Sequence, residues 1–436
     1  MKHRIRRIAL LLASASLLLL TGCTLGSSVE SLFALPQLPE EYRELSAMLD
    51  GLLEEGYTYV TPTVGPNVES VQMVDLDGDN TKEAVALMQR IGETDPLRVL
   101  VFRPGIDGFE RLCTVEHAGT GIDSINYYDM TGDGRSELVI GWREENNTQK
   151  LGVYCVNQET FPLMEREYGE YMMKDLTDSG RPGILLLREE MPFGTVAEYY
   201  TWQTDILRLD QACLIDREMS EISRGSMVGG TIAGNIPAVF LTCVDGSNIA
   251  TTEVLIYGEE QSLMNIAGFC APHLYCQLDP QDVDGDGITE IPYPIKNGDE
   301  GQSSAVKDTL VSWMRCDAGG NTIEVSETYH CQSYGWYITL PPEQWDRVTV
   351  MNGDIISGEN CVEFSVDGKP VAALYSITCE NRESRAQMGD RFIVTRLPGT
   401  IYAGEIYDAP KDGVEVTALR DSISMIVSTW ESMGKE

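Results

Sequence analysis

The sequence predicts a mainly β protein: a β-propeller-like repeat domain of about five recognisable units, followed by a small α+β C-terminal domain. Three observations carry this. A nine-residue acidic motif recurs at intervals of about 50 residues, apolar segments of strand character flank its copies, and beyond residue 330 the motif gives way to hairpin signals and a helical stripe. The chain divides accordingly: residues 1–22 are a leader, 23–38 a tether headed by a cysteine, 39–59 a helix and lead-in segment, 60–330 the repeats and 331–436 the C-terminal domain.

Lys2, Arg4, Arg6 and Arg7 precede an apolar run from Ile8 to Leu20, which can enter a membrane and is too short to span one. These are the features of a signal peptide. The run ends Leu20-Thr21-Gly22-Cys23, which resembles the lipobox of bacterial lipoproteins. That resemblance implies that Cys23 becomes the mature N-terminus, carries acyl chains such as palmitate, and anchors the protein on the extracytoplasmic face of the cell membrane. An ordinary cleaved signal peptide with an incidental cysteine is the competing reading. No other apolar run approaches the ~20 residues that cross a bilayer.

Without the four basic residues of the leader, 28 Lys and Arg stand against 68 Asp and Glu, a net charge of −40. Such a chain repels polyanions, so nucleic acid is excluded as a partner and cations are favoured. With 42% hydrophobic residues it can bury a core. Of the 11 cysteines, the ten after Cys23 show no CxxC or other metal-ligand spacing. Export permits disulfides, and Cys331, Cys361 and Cys379 share one region; the alternative is that most are small buried hydrophobes.

After the tether, which closes at Pro36 and Pro39, Glu40 to Glu55 carries Tyr42, Leu45, Met48, Leu49, Leu52 and Leu53 at helical spacing, and Gly56 stops the helix. The repeats follow. Asp75-Leu76-Asp77-Gly78-Asp79-Asn80-Thr81-Lys82-Glu83 has a near copy in Asp282-Val283-Asp284-Gly285-Asp286-Gly287-Ile288-Thr289-Glu290; both read D-x-D-G-D-x-x-x-E. A weaker copy is Asp129-Met130-Thr131-Gly132-Asp133-Gly134-Arg135-Ser136-Glu137, and a decayed one runs from Asp175 to Gly183. The gap before the last copy is close to two periods, so a unit without acids is expected there, with Gly229 to Asn235 at the position of its loop. Strand-like segments lie at Val71 to Val74, Ala84 to Met88, Leu138 to Ile140 and Ile184 to Leu187. About 50 residues suffice for a four-stranded propeller blade.

The loop chemistry is that of a hard cation. Calcium takes 6 to 8 oxygens at ~2.3–2.6 Å, and acids at positions 1, 3 and 5 converge when a glycine turns the backbone between them. The expected side-chain ligands are Asp75, Asp77, Asp79 and Glu83 with the carbonyl of Thr81, and Asp282, Asp284, Asp286 and Glu290 with the carbonyl of Ile288. The second loop keeps Asp129, Asp133 and Glu137 but has Thr131 at position 3, so weaker binding is expected; two or three calcium ions follow in all. An EF-hand is excluded, because it needs glycine at position 6, an acid at 12 and flanking helices. The competing reading is that the Asp-Gly clusters are turns between strands.

These loops, at this period and between short strands, resemble FG-GAP/VCBS repeats, the calcium-loop units of integrin-α-type β-propellers, over residues 60 to 330; the whole layout is similar to bacterial lipoproteins bearing such repeats. The resemblance implies a propeller whose calcium ions rigidify loops and whose loop-rich faces bind a partner.

In the last hundred residues, Asp367-Gly368 and Pro398-Gly399 mark hairpins, and Val416, Leu419, Ile423, Ile426, Val427, Trp430 and Met433 recur at helical spacing. Catalytic signatures are absent from the sequence: His3 leaves with the leader, His117, His273 and His330 have no H-E-x-x-H or H-x-H context, and no phosphate-binding or nucleophile-elbow motif occurs. The aromatic groups Tyr127-Tyr128, Tyr199-Tyr200-Trp202 and Tyr334-Trp336-Tyr337 read as core or as sugar-stacking platforms. The expected function is a lipid-anchored binding or adhesion protein for a protein or glycan partner; the alternative is a secreted glycan-active hydrolase or lyase on the same scaffold, whose paired carboxylates would carry no sequence signature.

Overall fold

The computed structural model describes residues 40–407 apart from 107, 147, 157–161, 259–261, 267–272, 275–277, 296–307, 332–335, 341–347 and 353–356. The leader, Cys23, the tether, Cys270, Cys276 and the helical stripe from Val416 to Met433 lie outside the described residues.

Helix α1 (Glu40–Glu54) opens the described chain. It ends as anticipated at Gly56, whose φ of +96° is open to glycine. The Gly56 N–H donates to the Leu53 carbonyl and the Tyr57 N–H to that of Leu52, a Schellman closure.

Six antiparallel sheets follow in chain order. The first holds β1 (Thr58–Tyr59), β2 (Val71–Val74), β3 (Glu83–Gln89), β4 (Leu97–Gly105) and β5 (Gly108–His117). The second holds β6 (Gly121–Tyr128), β7 (Glu137–Arg143), β8 (Gln149–Tyr154) and β9 (Pro162–Tyr168); the third holds β10 (Glu170–Lys174), β11 (Gly183–Glu190), β12 (Gly194–Gln203) and β13 (Ile206–Ile215). In the fourth are β14 (Ile222–Ile232), β15 (Ile236–Val244), β16 (Ile249–Tyr257), β17 (Leu263–Asn265) and β18 (His273–Leu274), and in the fifth β19 (Ile291–Ile295), β20 (Asp308–Cys316), β21 (Thr322–Cys331) and β22 (Trp336–Leu340). The sixth holds β23 (Val348–Asn352), β24 (Glu359–Val366), β25 (Lys369–Ile377), β26 (Phe392–Leu397) and β27 (Thr400–Ile406), with the short helix α2 (Arg382–Arg385) before β26.

Neighbours in sequence pair in space because the turns are short. Asp367 and Gly368 both have positive φ, which is what a two-residue hairpin with right-handed strand twist requires. Period-2 alternation then assigns the faces. Along β3, Ala84, Ala86 and Met88 pack against Leu45, Leu49 and Leu52 of α1, while Val85 and Leu87 face the second sheet. Both faces are apolar because both are covered, and each such Leu or Val stabilises the fold by roughly 1.5–3 kcal/mol.

The same rule repeats down the chain. Leu138 and Ile140 join the first and second sheets; Val139 and Leu151 meet Ile184 and Leu186 of the third. Leu185 and Leu187 meet Val239 and Leu241 of the fourth, Phe240 and Val254 share a core with Ile291 and Cys316 of the fifth, and Tyr329 and Trp336 share one with Val362 and Phe364 of the sixth. Each sheet therefore lies face to face with the next.

Two sequence expectations look different in this frame. The boundary at 330/331 falls within β21, whose partner β22 belongs to the fifth sheet, and the core shared by the fifth and sixth sheets runs across it. The fourth acidic loop is reduced to the turn Ala233-Gly234-Asn235, which joins β14 to β15 at the place of a loop; Gly229 to Ile232 are strand residues.

Candidate metal loops and a buried polar cluster

The first three acidic segments each connect two strands that pair with each other, β2–β3, β6–β7 and β10–β11. The last runs from Gln281, bridged to Glu290, into β19. One hydrogen-bond scheme recurs. In the first loop the Asp75 carboxylate accepts from the N–H groups of Gly78 (2.8 Å) and Asn80 (2.9 Å), Asp79 accepts from Thr81 (2.6 Å), and Glu83 accepts from Leu76 (2.8 Å). The second repeats it with Asp129 to Gly132 and Gly134, Asp133 to Arg135, and Glu137 to Met130. The last repeats it with Asp282 to Gly285 and Gly287, Asp286 to Ile288, and Glu290 to Val283.

The scheme explains the sequence of the motif. Positions 4 and 6 have positive φ in every copy: Gly78 and Asn80, Gly132 and Gly134, Asp178 and Gly180, Gly285 and Gly287. These are residue types that tolerate the left-handed region. The glutamate at position 9 starts β3 and β7 and immediately precedes β19, and in all three loops it turns inward, so Glu83, Glu137 and Glu290 are buried. Burial pushes the Glu83 and Glu290 carboxyls above the usual range and that of Glu137 up to about 7.

The third copy lacks this glutamate and replaces its function. The Tyr199 hydroxyl accepts from the Leu176 N–H and donates to the Lys174 carbonyl, both at 3.0 Å. Gly183 stands at position 9 because a Cβ there would lie 2.5 Å from the Tyr199 ring. The exchange of a nearby carboxylate for a hydroxyl from β12 had no visible signal in the motif itself.

Carboxylate oxygens of Asp75, Asp77 and Glu83 converge within 4.8 Å of one another, as do those of Asp282, Asp284 and Glu290; among the described residues these are the only two such groups. Asp79 and Asp286 stand outside the two trios, and Asp129, Asp133 and Glu137 form none. A hard cation fits the two trios, because all their donors are carboxylate oxygens. The loops form a row along one edge of the stacked sheets. The Ser136 N–H donates to the Leu76 carbonyl (2.8 Å), Arg181 donates to the Thr131 carbonyl (3.1 Å), and the Thr289 N–H donates to the Thr231 carbonyl (2.8 Å).

The last loop differs from the first in its surroundings. Nη2 of Arg315, on β20, lies 3.0 Å from Asp284, 2.6 Å from Asp286 and 3.0 Å from Glu290. Among the described residues, no basic side chain pairs with the four acids of the first loop.

A second polar assembly links β2, β6, β10 and β14 of the first four sheets. Buried Asp123 on β6 accepts from Arg224 on β14 (2.8 Å), Tyr168 (3.0 Å) and Thr63 (3.0 Å), with Arg143 at 3.6 Å. Burial raises its pKa, but the hydrogen bonds from Arg224 and Tyr168 outweigh that and hold the carboxyl below the usual range. Around it, Tyr171 on β10 contacts Ser124 and Asn126, Tyr127 donates to Gln72 on β2, and Glu170 accepts from the Gly225 N–H. The second and fourth sheets thus touch across the inner edge of the third. None of these residues belongs to a recurring motif, and apart from Tyr127 sequence reasoning missed them.

Of the aromatic groups, Tyr199, Tyr200 and Trp336 are buried, Tyr127, Tyr128 and Trp202 are half-buried against the core, Tyr337 is half-buried, and Tyr334 lies outside the described residues. Cys113, Cys155, Cys213, Cys243, Cys361 and Cys379 are free thiols, and burial pushes Cys113 and Cys155 up to about 11 and Cys213 and Cys243 up to about 12, far from the range of reactive thiolates. No helix among the described residues is long and apolar enough to cross a membrane. No family model and no curated protein matches the chain.

Proposed function

We propose that the chain is a lipid-anchored, extracytoplasmic binding protein built on a propeller-like array of sheets, with calcium bound at its first and last acidic loops. The single observation that carries this reading is the pair of convergent trios, Asp75/Asp77/Glu83 and Asp282/Asp284/Glu290, in two copies of one loop some 200 residues apart. Both are set in the same backbone scheme, and calcium is the cation whose ligand preference they match.

The propeller reading rests on six sheets packed face to face in succession and on the approach of β6, β10 and β14 in the second, third and fourth, where Arg224 of the fourth reaches Asp123 of the second. The lipid anchor rests on Cys23 and the leader before it. Partner binding, to a protein or a glycan, is assigned to the loop-bearing ends of the sheets, where connections vary without disturbing the stack.

The test is calorimetric titration of calcium into the chelator-stripped protein with a melting curve alongside. Binding of two ions in the range of about 10⁻⁴ to 10⁻³ M common for extracellular modules, with a rise in melting temperature, is the expected result. No binding and unchanged melting would reduce the loops to turns. The glycan-active enzyme is the second reading. It is favoured by Asp123 and Glu170, carboxylates on neighbouring first strands with Arg224 between them, and sugar release from a polysaccharide panel that Asp123→Asn and Glu170→Gln abolish would establish it.

A further inference from the structure

The two convergent trios are not equivalent, and one cross-strand pair makes the difference. In the fifth sheet the pairing Ile291 with Met314 places Arg315 opposite Glu290, the closing acid of the last loop. On its other side Arg315 is paired with Ile323, which offers no charge. The guanidinium therefore turns to the loop, and a single nitrogen sits 2.6–3.0 Å from three carboxylates.

The first sheet has the same arrangement with one change. The pairing Ala84 with Phe102 places Arg103 opposite Glu83. Arg103 is in turn paired with Glu110 on β5, and that carboxylate takes the guanidinium at 2.6 Å. Among the described residues, the first loop is left with four acids and no arginine.

Resting on the calcium reading above, we propose that a cross-strand arginine sets which loop takes the ion: Arg315 supplies the cation of the last loop itself, and Glu110 keeps Arg103 out of the first. The last loop then binds calcium only when Arg315 is displaced. A loop filled by its own guanidinium nine-tenths of the time loses about tenfold in apparent affinity. The arginine cannot substitute fully for the ion, because it brings one charge to four acids and its nitrogen coordinates three oxygens, whereas calcium brings two charges and takes 6 to 8.

The experiment is calorimetric titration of calcium chloride into the purified full chain and its variants. Asp77→Ala isolates the last loop, and adding Arg315→Gln to it should tighten the remaining site by about tenfold or more. In the first loop, Glu110→Ala should weaken binding by a similar factor, Arg103→Gln should leave it unchanged, and Glu110→Ala with Arg103→Gln should restore it. Calcium binding in the wild type with affinities that none of these changes moves overturns this proposal alone. No binding in the wild type or in any variant overturns the calcium reading together with it.

Discussion

Tyr199→Phe separates the third loop from the other acidic loops by a change of one oxygen atom. The Tyr199 ring is fully buried, so phenylalanine fills the same space and opens no cavity. What it removes is the acceptor for the Leu176 N–H and the donor for the Lys174 carbonyl, both at 3.0 Å. The Leu176 N–H is buried, and an orphaned buried donor costs about 1–3 kcal/mol; the Lys174 carbonyl is partly buried and adds less. The sum is about 2 kcal/mol. Native-state hydrogen exchange reads this at its source, because about 1.4 kcal/mol is a tenfold change in protection, so the Leu176 amide should exchange at least tenfold faster. The loss should be the same with calcium and with chelator, since the hydroxyl has replaced a carboxylate here. Unchanged exchange at Leu176, or a loss that calcium reverses, would refute the substitution of hydroxyl for glutamate.

Three further outcomes follow from the same geometry. Asp77→Ala should melt like wild type in chelator and fall below it in calcium, by about 2–3 kcal/mol at a hundredfold excess over the wild-type dissociation constant; equal melting in excess calcium would remove Asp77 from the ligand set. His330 is buried between the Thr328 hydroxyl and the Tyr337 ring, and burial lowers its pKa to about 4. Because the folded state favours the neutral ring, its stability is intact above the unfolded value near 6.5 and is lost as pH falls toward 4. The loss is roughly 3 kcal/mol. Denaturation of wild type and His330→Phe at pH 7 and pH 4.5 should show a steeper loss in the wild type, and parallel losses would contradict the assignment. Asp123→Ala removes a buried carboxylate from two arginines and two hydroxyls, and should cost about 2–4 kcal/mol in urea unfolding; a neutral effect would show that the first strands hold together without it.

Much of the local structure was legible in the chain. Helix α1 and its stop at Gly56, the strands at Val71 to Val74, Ala84 to Met88, Leu138 to Ile140 and Ile184 to Leu187 and the hairpin turns at Asp367-Gly368 and Pro398-Gly399 all rest on short-range rules: apolar periodicity, and residues that tolerate positive φ. The acidic loops were legible for the same reason, because a nine-residue motif closes its hydrogen bonds within itself. Asp75 to Asn80 and Glu83 to Leu76 involve neighbours at most seven residues apart.

What the sequence did not reveal depends on strand register and on which sheets meet. Arg315 faces Glu290 only because β19 and β20 pair in one register, and Arg103 is turned away only because β5 presents Glu110. Tyr199 reaches Leu176 from the next-but-one strand, and Asp123 meets Arg224 from 101 residues away. The boundary expected at residue 331 followed a change of motif, whereas the core of the last two sheets follows the packing of Tyr329 and Trp336 on Phe364. By itself the sequence determined strands, turns and loop chemistry, whose interactions are local. The tertiary structure decided which charges share a loop and which sheets share a core, because those are set by distances between residues that the order of the chain leaves free.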